Sequence, residues 1–68
     1  MNPSIHAEYE LRFHSLFHAG RGYSFPCSAD GRVDIDALGE RARLNYLYAR
    51  TVIGREVAIP AVCIAAVH

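Results

Sequence analysis

Two short runs of this chain alternate apolar and polar residues on either side of a glycine-rich turn, and that pattern constrains the fold more than any other feature. In Glu8-Tyr9-Glu10-Leu11-Arg12-Phe13-His14, the residues Tyr9, Leu11 and Phe13 face one way and Glu10, Arg12 and His14 the other. In Tyr23-Ser24-Phe25-Pro26-Cys27, the residues Tyr23, Phe25 and Cys27 do the same. A period of two is the signature of a half-buried strand. Between the runs, His18-Ala19-Gly20-Arg21-Gly22 supplies a turn, so the pair predicts a β-hairpin. Pro26 cannot donate a ladder hydrogen bond, which places the second strand at a sheet edge. The rival is a helix, because Ile5, Tyr9, Phe13, Leu16 and Phe17 also share a helical face. The aromatic content of both runs favours strand.

The second half reads differently. Ser28-Ala29-Asp30-Gly31 is another turn, and Arg32-Val33 is expected to add a short third strand. A helix is expected from about Ile35 to Ile53, with Asp34 as N-cap and Gly54 closing it. Val33 and Leu38 then hold the positions of a hydrophobic staple. On such a helix Leu38, Ala42, Tyr46, Ala49 and Ile53 line one face and should cover the hairpin. Leu44, Leu47, Tyr48 and Val52 spill beyond it. The predicted class is therefore α+β: a small β-hairpin or three-stranded antiparallel sheet packed on one C-terminal α-helix, in the order β-β-β-α. The expected divisions of one small domain are a frayed arm over 1–7, the hairpin region over 8–33, the helix over 34–54 and an apolar tail over 55–68. For the tail the sequence leaves three expectations: a further strand after Pro60, docking within the chain or across a dimer, or disorder.

Composition limits what such a chain can do. With 68 residues, 51% of them hydrophobic, it can build one core but little more. Seven basic residues, all Arg, balance seven acidic ones. No net field draws the chain to nucleic acid or to an anionic membrane, and little charge repulsion keeps copies apart. The longest mostly apolar stretch, Val57 to Val67, falls short of the roughly 20 residues that a spanning helix needs. The start of the chain lacks the pattern of a signal peptide, and two cysteines make no disulfide framework. A cytoplasmic setting with free thiols is expected.

Few residues suggest chemistry. His14 and His18, joined by Cys27, Cys63 or His68, have the side chains of a zinc site but not its usual spacing. Cys27 beside His14 or His18 would make a thiol nucleophile only with a base in reach and a pocket to work in. Gly20-Arg21-Gly22 is followed by a strand pattern, not the helix a phosphate loop requires. No cofactor, no metal and no enzymatic activity are expected. Two surfaces stand out instead. Tyr46, Leu47, Tyr48 and Arg50 form a candidate protein contact, for a partner protein or a second copy. Arg41, Arg43, Arg50 and Arg55, interleaved with tyrosines, form a less favoured candidate contact for nucleic acid.

The elements Glu10-Leu11-Arg12-Phe13, Ser15-Leu16-Phe17, Gly20-Arg21, Phe25-Pro26-Cys27, Gly31 with Val33-Asp34, Arg41-Ala42-Arg43, Asn45-Tyr46-Leu47, Ala49-Arg50 and Gly54-Arg55-Glu56 together resemble a family of short, uncharacterised bacterial proteins. The resemblance spans Tyr9 to Val62. It implies a compact cytoplasmic bacterial protein and carries no activity, cofactor or site residues with it.

Overall fold

The computed structural model describes residues 9–65. Both alternating runs are strands: β1 spans Tyr9–His14 and β2 spans Gly22–Cys27. They pair antiparallel, with Leu11 opposite Phe25 and Phe13 opposite Tyr23. The odd-numbered residues of both strands thus share one face, as the alternation requires. The turn between them is fixed locally. Ser15 Oγ accepts the amides of Phe17 at 3.2 Å and His18 at 3.0 Å, and Arg21 N donates to His18 O. Gly22 closes the turn at a φ of +150°, and a Cβ there would collide with the carbonyl oxygen of Phe13. Only glycine can hold the two backbones this close.

The second half departs from expectation in two ways. First, Arg32-Val33 forms no strand. The third strand is instead β3, Ala61–Ile64, the further strand expected after Pro60, and it follows the helix. The order is β-β-α-β, and the sheet runs β2-β1-β3 with every pairing antiparallel. Second, the helix is shorter. Asp34 does cap, but what it caps is a single 3-10 turn, Ile35–Ala37, where its carboxylate accepts the amide of Asp36. The backbone of Leu38 is extended, and helix α1 spans only Glu40–Thr51, with Gly39 as N-cap. The break lets both Val33 and Leu38 turn inward as core residues. Arg43 steadies it: Nε donates to Ile35 O and Nη2 to Leu38 O, both at 3.4 Å.

The exit from α1 explains another correction. The helix stops before Ile53 can complete the predicted face. Val52 is buried in its place and Ile53 stands exposed. The carbonyl of Val52 then accepts the amides of Arg55, Glu56 and Val57, while Gly54, at a φ of +85°, turns the chain back.

The core lies between the sheet and α1. Phe13, 1% exposed, meets Phe25 and Tyr46 edge-on, at 5.9 and 6.3 Å between ring centroids. Phe25 and Tyr46 are closer still, at 5.2 Å. Ala49 is fully buried, and its small side chain lets the helix approach this cluster. Leu11, Cys27, Val33, Leu38, Val52 and Val57 complete the core. The opposite face of the sheet is open, and on it Glu10 and Arg12 form an ion pair at 3.0 Å. The arm over 1–7 and the last residues of the tail lie outside the described residues.

Candidate interaction surface

The contact surface expected on the helix is smaller than the sequence suggests. Tyr46 does not belong to it: at 9% exposure its ring is part of the core, under Phe25 and Phe13. Arg50 lies over that ring, its guanidinium carbon 5.6 Å from the centroid. Tyr48 is half-exposed, but its hydroxyl donates to Glu56 Oε1 at 2.8 Å and its ring meets Tyr23 edge-on. The hydrogen bond to Glu56 favours the protonated phenol and pushes its pKa up. Leu47 and Leu44 remain, on the side of α1 away from Ala42 and Ala49.

The arginines form no common surface. At 100° per residue, Arg43 and Arg50 share one side of α1 and Arg41 stands opposite. Arg43 is committed to backbone carbonyls and Arg50 to the ring of Tyr46. Arg55 lies in the turn beyond the helix.

The histidines and cysteines are separated by the sheet. Cys27 pairs with Tyr9 at one end of the hairpin, and His14 pairs with Gly22 at the other. Five residues of strand put about 16 Å between them. Cys27 lies on the core side, where burial pushes its thiol pKa up and the charge of Asp30 adds to the effect. Cys63 pairs with Glu10 and so lies on the open face. Both thiols are free. Among the described residues, no group of three metal-ligating side chains comes together. His68 lies outside the described residues. The GRG segment is a hairpin turn that borders a shallow hollow of about 650 Å³ lined by Phe17, His18, Arg21, Tyr23 and Glu56.

The most exposed apolar surface is instead at β3 and the segment leading to it. Ile59 and Ile64 are each 79% exposed and Val62 is 41% exposed. The sequence places the named contact residues on the helix and leaves the apolar tail as a segment that docks within the chain or across a dimer. The register assigns Val62 and Ile64 to the same face as Leu11 and Tyr9. Helix α1 packs toward β2, at the far side of the sheet; here the Gly31 turn, not the helix, lies against Val62 and Leu11, and Ile64 stays exposed.

Strand β3 reaches its place through an irregular pairing. Arg12 faces Ala61, yet Ser15 faces Val57. Residues 58–60 therefore span the same stretch as residues 13 and 14, and one extra residue bulges from the outer strand. Pro60, which has no amide to donate, sits in that bulge.

Among the described residues the fold is a small α+β domain in which no further strand pairs with the β3 edge. No helix of the described residues is long and apolar enough to cross a membrane. The chain matches no known family model, curated protein or solved structure.

Proposed function

We propose that this chain is a non-enzymatic protein-interaction or regulatory module that works as a homodimer in a reducing, cytoplasmic setting. The observation that carries the reading is an imbalance of burial. Among the described residues, ten apolar residues form the core, and nine large apolar side chains stay exposed, from Leu16 and Phe17 in the turn to Ile59, Val62 and Ile64 near β3. Scattered exposed leucines are ordinary on a protein surface, but an apolar cluster continuous with the core face of a sheet is the kind of surface that partners cover. Zero formal net charge leaves copies free to approach one another. Free thiols at Cys27 and Cys63 suit a reducing compartment.

Sedimentation equilibrium on the full chain tests the reading. A dimer that forms over the micromolar range supports it, and a monomer at every concentration up to about 100 μM refutes it.

A further inference from the structure

The two edges of the sheet differ, and the difference points to how a partner attaches. Ser15 N donates to Arg21 O, across the hairpin, and Ala58 N donates to His14 O, across to the outer strand. Main-chain groups alternate sides along an antiparallel strand. The odd residues of β1 therefore bond to β2 and the even ones to β3. It follows that Ala61 and Cys63 turn their amides and carbonyls toward β1, whereas Val62 and Ile64 turn theirs outward. On β2, the outward positions are Gly22, Ser24 and Pro26, and Pro26 has no amide to offer. The β2 edge is thus blunted. Within Ala61–Ile64 the outward positions, Val62 and Ile64, carry neither proline nor charge, and the Pro60 bulge protects only the start of this edge.

We propose that β3 pairs antiparallel with β3 of a second copy and joins two sheets into one of six strands. This rests on the self-association proposed above and names its surface. A second copy is the occupant because the strand complements itself. In an antiparallel pair about a two-fold axis, Val62 of one copy faces Ile64 of the other, and both are outward-bonding positions. Those two residue pairs exchange four main-chain hydrogen bonds. On the core face they set apolar against apolar, with no charge on either strand. On the open face Cys63 faces Cys63 of the partner copy at a non-hydrogen-bonded position, where opposed residues approach most closely. Both copies keep their helices on the same side of the continuous sheet. An interface of a single strand pair is small, and the association it supports is in the micromolar range.

The test combines one cross-link with two substitutions. Mild oxidation of the full chain with copper-phenanthroline should yield a covalent dimer that maps to Cys63–Cys63, because opposed Cβ atoms at that position lie near disulfide distance. Ile64→Lys, at an exposed site, should raise the dimer dissociation constant at least about 100-fold with an unchanged circular dichroism spectrum. Leu47→Lys, on the far side of α1, should leave it within about twofold. A dimer that survives Ile64→Lys, or that dissociates with Leu47→Lys while Cys63 fails to cross-link, overturns the β3 interface and leaves self-association standing. A wild-type monomer at about 100 μM overturns both.

Discussion

Replacing Phe13 with leucine tests the centre of the fold. Phe13 is 1% exposed and meets the rings of Phe25 and Tyr46 edge-on. Leucine keeps the site apolar and fills most of the space, so the loss from packing stays near 1 kcal/mol. The two edge-to-face contacts are lost outright, at about 0.5–1.5 kcal/mol each. The expected destabilisation is about 2–4 kcal/mol. A domain of this size has a total stability of about 3–10 kcal/mol, so the variant stays folded but marginal. Its melting temperature should fall by roughly 10–30 °C. The assay is urea and thermal unfolding followed by far-ultraviolet circular dichroism, at one fixed protein concentration so that association does not shift the midpoint. Leu44→Ala, at a side chain 61% exposed, is the control and should change stability by less than about 0.5 kcal/mol. A loss for Phe13→Leu no larger than that of the control would refute the aromatic cluster as the core of the domain.

Gly22→Ala should cost at least about 2 kcal/mol, because its Cβ would meet the Phe13 carbonyl and its φ would be strained; chemical denaturation measures this, and a neutral result would contradict the hairpin geometry. Arg43→Met, which keeps the aliphatic stem, should cost about 1 kcal/mol by releasing the carbonyls of Ile35 and Leu38, and faster amide exchange over residues 35–39 would locate the effect. Cys63 should alkylate well before Cys27 in dilute native protein, as mass spectrometry can follow. Burial raises the pKa of the Cys27 thiol in the folded state. Its contribution to stability is therefore complete below the ordinary thiol range and is lost as pH rises through its own higher value. Equal alkylation rates for the two thiols would contradict the placement of Cys27 on the core side.

The hairpin was legible because its signal is local. Tyr9, Leu11, Phe13, Tyr23, Phe25 and Cys27 alternate strictly, and the glycines mark the turn. The position of Pro26 at an edge followed from its missing amide alone. The third strand was harder, since β3 pairs with β1 across some fifty residues of sequence, and nothing in Ala61-Val62-Cys63-Ile64 announces its partner. Arg32-Val33 looked like a strand only because it followed a turn. The start of the helix was misplaced for a physical reason. The capping signal at Asp34 is real, but the demand that Val33 and Leu38 both reach the core outweighs helix continuity through Leu38 and Gly39. Tyr46 was assigned to the contact surface because α1 carries apolar residues on more than one stripe. Periodicity gives the relative angles of Tyr46, Leu47 and Tyr48, and only the docked sheet decides which of them is inside. The open β3 edge was illegible until the register was known, because it depends on which main-chain groups point away from β1.

Residue-resolved amide exchange across a dilution series addresses the pairing of β3 most directly. Ala61 and Cys63 bond inward to β1 and should stay protected at every concentration. Val62 and Ile64 should be protected in concentrated protein and exchange freely once it is diluted. Fast, concentration-independent exchange at Val62 and Ile64 would show that no second strand ever covers this edge.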